Sequence, residues 1–285
     1  MSQPRKHWVN VVLVVVLLAI VGGSMVPIIG AFNETQNSSQ KSTSTRSVSP
    51  SSDLKLKLEN DAQGYAQVVQ REPENQTALR NLLETRLQLL SLGGGDVKSV
   101  ISPLEKLAAL NPEETKYAVL LAQAKQQIGD KEGAAQAYRS VLQKKPGNLQ
   151  ALQGMVALDL SEKRPEAAIT LLQDTLKTAS TANKTQPGSV DTVAVQVLLG
   201  NVYASQKNYT QASSAYDQAI SKDKQDFRPV LAKATLLKEQ GKAEEAKTLF
   251  TQAAALAPSQ YKDEINKLSS ESATPAPTPT STPKQ

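Results

Sequence analysis

The sequence predicts an all-α protein: a solenoid of stacked helical hairpins with one N-terminal transmembrane helix, a disordered linker and a disordered tail. Three observations predict it. Residues 53–270 are rich in Ala, Leu, Gln, Lys and Glu, with apolar residues at helical spacing and no alternating β-branched runs. Much of that region resembles itself at a period of 34 residues. Residues 8–31 carry no charge, and about 20 apolar residues suffice to cross the hydrocarbon core of a bilayer.

The charges around the apolar stretch orient it. Arg5 and Lys6 stand directly before Trp8, whereas the next basic residues are Lys41 and Arg46. Positive charge stays on the cytoplasmic side. Residues 1–7 are therefore expected to be a cytoplasmic stub and 8–31 a single-pass signal-anchor, with the repeats on the extracytoplasmic side, periplasmic or lumenal. Trp8 suits the membrane interface, and Pro27 is tolerable near the end of a membrane helix. The competing reading is a cleaved signal peptide with Val11–Val21 as its apolar region. Against it, no A-x-A site is present and apolar residues continue through Val26, Ile28 and Ile29. Residues 32–52 are nearly all polar and read as a flexible linker; 271–285, rich in Pro and Thr, read as a disordered tail.

Between these flanks the period is explicit. Tyr203, Ala212, Tyr216 and Ala219 are followed 34 residues later by Leu237, Ala246, Phe250 and Ala253, with Gly200 before them and Pro258 after. Further back, Leu121, Ala122, Gly129, Ala134, Tyr138, Val141 and Pro146 occupy the same places, as do Met155, Ala168 and Leu172 in the unit between. The chain resembles the tetratricopeptide family. Numbered from 1 to 34, two units fill 115–182 and two fill 193–260. The starts at 149 and 193 lie 44 apart, so ten residues are inserted, and 183–192 is expected to be an inter-repeat loop. Residues 53–114 read as degenerate helical repeats and 259–270 as the capping helix that a solenoid end needs. Asn111-Pro112-Glu113-Glu114 reads as an N-cap followed by a first-turn proline and two acids.

The resemblance implies small residues at positions 8 and 20, where helices A and B of a hairpin cross, and an aromatic at 24 packed between hairpins. It also implies a concave groove lined by helix A positions 2, 5, 9, 12 and 13. Here those positions supply Lys116, Val119, Gln123, Gln126 and Gln127, then Gln150 and Gln153, then Asn201 and Ser205, then Arg228, Thr235 and Lys238. This amide-rich, nearly neutral set suits hydrogen bonding to an extended peptide or a helix. The carboxylate clamp of some cytosolic family members would fall on Val119, Gln123, Gly154, Ala194 and Leu198, none of which matches it.

Composition removes other chemistries. There is no cysteine and one histidine, His7, which leaves no material for a cysteine nucleophile, a Ser-His-Asp triad or a multi-histidine metal site. Of the net charge of +5, the body 53–270 holds 27 basic against 25 acidic residues, too balanced for a nucleic-acid surface. Gly93-Gly94-Gly95 lacks the phosphate-loop spacing and reads as a helix stop, while Glu113-Glu114 and Glu244-Glu245 read as helix-start acids. The expectation is a membrane-anchored, non-catalytic scaffold without cofactor or metal, binding a protein partner in its groove and no nucleic acid. One-anchor proteins of this design resemble envelope chaperone-like factors and photosynthetic-membrane assembly factors, which implies an assembly or chaperone-like role. A self-assembling tether, or an exported soluble protein after signal cleavage, stays open.

Overall fold

The computed structural model describes residues 50–270. The expected membrane segment 8–31 and the tail 271–285 lie outside the described residues, as does most of the linker. Among the described residues there are twelve α-helices and no strand, and no helix is long and apolar enough to cross a membrane. The chain divides into two compact units, one ending at Ile128 and the other beginning at Gly129. That division falls inside 115–148, so helix A of the first expected repeat belongs to one unit and helix B to the other.

The first unit holds α1 (Pro50–Arg71), α2 (Gln76–Ser91), α3 (Lys98–Leu110) and α4 (Thr115–Gln127), each packed on the next. α1 begins at Pro50, so the last residues of the expected linker are already helical. Leu79, Leu82, Leu83, Val100, Leu104 and Leu107 form its buried interior. Pro103 inside α3 cannot donate to the carbonyl of Ser99 four residues earlier. The Arg86 guanidinium of α2 donates to that carbonyl instead, so the defect in one helix becomes a tie to its neighbour. Asn111 does not cap α4. Its Nδ2 donates to the Leu107 carbonyl at 2.9 Å and so closes α3, and α4 starts only at Thr115 without a side-chain cap. The Asn111 backbone N–H donates to the same carbonyl at 2.9 Å, so both of its donors serve the C-terminus of α3. Gly93 and Gly95 adopt φ of 70° and 79° as α2 stops, as expected of a helix-terminating loop.

The second unit holds α5 (Lys131–Lys144), α6 (Leu149–Ser161), α7 (Pro165–Thr185), α8 (Thr192–Ser205), α9 (Tyr209–Lys222), α10 (Phe227–Glu239), α11 (Ala243–Leu256) and α12 (Ser259–Ser270). Side-chain N-caps start several of them: Asp130, Asn148 and Asp191 each accept a backbone N–H at 2.9 Å. The repeat positions carry the packing. Position 20 is Ala134, Ala168, Ala212 and Ala246, all with no exposed surface, because helix B crosses helix A there without room for a longer side chain. Position 24 is Tyr138, Leu172, Tyr216 and Phe250, each fully buried. A Cβ on Gly200 would lie 2.3 Å from the Tyr216 ring, and one on Gly154 2.1 Å from that of Tyr138. At the end of the unit Ile265 of α12 is buried against Phe250, Ala253 and Val230, a contribution of about 2–3 kcal/mol, and the Phe227 and Tyr261 rings stack at 5.3 Å.

The ten inserted residues are not simply a loop. Helix α7 runs for 21 residues, against 14 in α5, α9 and α11, so the insertion extends helix B through Thr185 and only 186–191 connect it to α8. Asn183 fixes that connection: its Nδ2 donates to the Val190 carbonyl and its Oδ1 accepts the Val190 N–H, each at 2.9 Å, and the Ser189 hydroxyl at 3.1 Å. The connection lies on Gly147, where a Cβ would meet the Ser189 carbonyl at 2.1 Å.

Candidate partner-binding face of the repeats

In the second unit the A helices form a row, α6 against α8 and α8 against α10, with α7, α9 and α11 behind them. Position within the repeat decides which side chains that row leaves open. Position 5 lies in the seam: Gln153 is 8% exposed and Val197 6%, and Leu231 is half-buried. In the first unit Val119, at the same position, is 2% exposed. Val119 and Gln153 are therefore not accessible groove residues, a correction to the register-based expectation. Position 13 is the opposite case, with Gln127, Ser161, Ser205 and Glu239 all exposed. Position 9 is exposed at Gln123 and half-buried at Asn201 and Thr235.

Several of the expected site residues spend their polar groups within the chain. Lys116 pairs with Glu114 at 2.6 Å and lies 4.8 Å above the Tyr117 ring, and that pairing holds the Glu114 carboxyl below its ordinary range. Arg228 bridges Asp226 and Asp191 at 2.6 and 2.9 Å, joining the starts of α10 and α8. Lys238 donates to the Leu268 carbonyl at 2.9 Å, which fastens α12. Thr235 returns its hydroxyl to the Leu231 carbonyl. Gln126 is half-buried, whereas Gln123, Gln127 and Gln150 are exposed.

Between α8 and α10 lies a polar group of a different kind. The buried Tyr216 hydroxyl donates to Asn201 Oδ1 at 2.7 Å, which leaves the Asn201 amide N–H groups open. Burial, and secondarily the charge of Glu239, push the Tyr216 phenol above its ordinary value, so it stays a neutral donor. Glu239 reaches solvent, yet desolvation of its carboxyl raises its pKa above 4.5. Asn201, Ser205, Thr235 and Glu239 thus offer amide donors, a hydroxyl acceptor and a carboxylate along α8 and α10.

Models of the tetratricopeptide repeat match residues 129–182, 193–226 and 229–260. Those stretches of the chain are tetratricopeptide repeats. Among solved structures, yeast Tom70 is similar at 13% identity and a TM-score of 0.52, over 74% of this chain and 42% of that one. The chain therefore spans about two fifths of that relative's length. A thermophilic TPR protein of Thermus thermophilus is similar at 20% identity and a TM-score of 0.44, over 68% and 98% of the two chains. MamA of Desulfovibrio magneticus follows at 18% and 0.42, over 64% and 94%. No curated protein matches the sequence.

Tetratricopeptide repeats are in general protein-interaction modules rather than catalysts, and the fold is that of an interaction scaffold. Within this chain, repeat register located the A-helix face but not its openings. What it missed is that position 5 is buried at Val119, Gln153 and Val197. The sequence signal for that was an apolar residue at three of the four position-5 sites, Val119, Val197 and Leu231.

Proposed function

We propose that the chain is a membrane-anchored, non-catalytic scaffold that holds a protein partner on the A-helix face of its second unit, in an assembly or chaperone-like role. One observation carries the reading: α6, α8 and α10 form a continuous row whose position-9 and position-13 side chains include hydrogen-bonding groups left open to a ligand. An extended peptide or a helix laid across the row would satisfy the Asn201 amide donors while covering the half-buried Leu231 and Ala157. The anchor is residues 8–31, with Arg5 and Lys6 retained in the cytoplasm and the repeats on the far side of the membrane.

Both halves of the proposal are testable in membranes. The chain has no cysteine, so one introduced at Ser2 or at Ser39 is unique. An impermeant maleimide added to sealed cells stripped of their outer layers should label Ser39→Cys and not Ser2→Cys. The reverse pattern would refute the orientation, and labelling of neither would refute exposure of the linker. A photoreactive residue at Gln150 or Ser205 should crosslink to one partner that is not captured from Gln136 or Gln143, which lie on α5. Equal capture from all four positions would remove the A-helix face as the site.

A further inference from the structure

The opposite side of α8 holds a second site. Residues 196, 199 and 203 of α8 fall within about 60° of one another on a helical wheel, about 170° from the stripe that carries Asn201 and Ser205. Gln196 and Leu199 are buried and Tyr203 half-buried, and together they floor a cleft of about 530 Å³ walled by α7 and α9. α7 and α9 both pack on α8, so the cleft runs between two B helices with an A helix beneath. Its volume is within the range of ligand sites, about 300–1,000 Å³.

The lining is amide-rich and cationic. Gln173 Nε2 donates to Tyr203 Oη at 3.2 Å, Gln196 Nε2 to Gln218 Oε1 at 3.2 Å, and Gln218 Nε2 to Ser214 Oγ at 3.3 Å. Each of these amides uses one of its two N–H groups, so the glutamines are held in place without being saturated. Gln211 accepts from Asn208 and keeps its own amide N–H groups open, and the Tyr203 hydroxyl keeps its proton. Lys177 and Lys222 stand exposed on the two walls, neither is ion-paired among the described residues, and no carboxylate lines the cleft.

We propose that this cleft between α7 and α9 binds an extended acidic peptide segment of a partner protein, with Lys177 and Lys222 reading its carboxylates and the glutamine amides its backbone. The charge and the donor excess select the ligand: open N–H and O–H groups outnumber open acceptors, and an extended acidic chain presents backbone carbonyls and carboxylates. The leucine pair Leu176 and Leu199 gives the floor an apolar strip for one aliphatic stem. This site is separate from the A-helix face and does not depend on it.

The test uses the full chain and a fluorescein-labelled hexapeptide of alternating glutamate and serine, capped at both ends, with a lysine–serine hexapeptide as control. Anisotropy at physiological ionic strength should show saturable binding of the acidic peptide only. The double variant Lys177→Glu/Lys222→Glu should lose about tenfold or more in affinity, and Gln173→Ala/Gln211→Ala several-fold, with unchanged helical circular dichroism. The charge-matched variant Lys262→Glu/Lys267→Glu on α12, whose two lysines are also exposed, should bind as the unaltered chain does. Equal losses in the two charge-reversed variants would reduce the effect to net charge and overturn the proposal. So would absence of saturable binding, or binding that appears only when residues 271–285 are removed, which would make the chain's own tail the occupant.

Discussion

Gly200 shows how little freedom single positions have. A methyl group there would lie 2.3 Å from a Tyr216 ring carbon, and the ring is pinned by its hydroxyl bond to Asn201. Alanine would regain about 1 kcal/mol of helix propensity but impose overpacking worth about 1–3 kcal/mol. The overpacking wins because the ring cannot retreat, and Gly200→Ala should destabilise the protein by up to about 2 kcal/mol in urea denaturation; a stabilised variant would show that α9 yields. Glu239 gives the pH dependence. Its carboxyl is raised by desolvation, so the folded state holds the proton more tightly than the unfolded chain does. The cost of ionising it is therefore absent below the ordinary carboxylate range, grows as pH rises through the raised pKa, and is complete above it. Glu239→Gln should raise Tm at neutral pH and leave it unchanged in acid. A Tm difference that does not vary with pH would assign the effect to packing instead.

At the scale of the element, the A–B turn explains a regularity that composition hides. Position 15 takes positive φ in every repeat: 83° at Gly129, 59° at Lys163, 59° at Lys207 and 78° at Gly241. Two repeats meet the demand with glycine and two impose it on lysine, at a cost of about 1 kcal/mol. Lys207→Gly should accordingly stabilise the protein by up to about 1 kcal/mol, read as a shift in the urea midpoint, and a loss of stability would mean that the lysine stem packs usefully. Such elements mark the limit of what is legible in the sequence. The period of 34, the alanines at position 20 and the aromatics at 24 follow from side-chain volume, and the helices observed at 131–161 and 192–256 have those residues buried as that reasoning requires. The insertion was legible in length and place but not in form. Thr181 to Thr185 continue α7 because Asn183 makes three hydrogen bonds to Ser189 and Val190 in the connection that follows, a tertiary fact with no local signature. Asn111 was misassigned for the same kind of reason: cap residues serve either end of a helix, and only the neighbouring carbonyl decides.

For the whole molecule, the candidate site was half legible. Register places side chains on a helix, whereas burial depends on the next helix in the stack, so Gln153 was lost to the seam between α6 and α8 while Ser205 remained open. The Asn201–Tyr216–Glu239 group needed α8, α9 and α10 all to be in place. A binding reading of the chain therefore rests on the face that the A helices leave uncovered. That claim is tested most directly by titrating the partner captured from Ser205 against the full chain and two variants. Gln150→Ala/Ser205→Ala/Glu239→Ala removes exposed polar groups from the face; Gln136→Ala/Gln143→Ala removes exposed amides of α5. Hydrogen bonds of about 0.5–1.5 kcal/mol each predict that the first variant binds about tenfold or more weakly, with unchanged helical content, and that the second binds as the unaltered chain does. Equal affinity for all three would contradict the account.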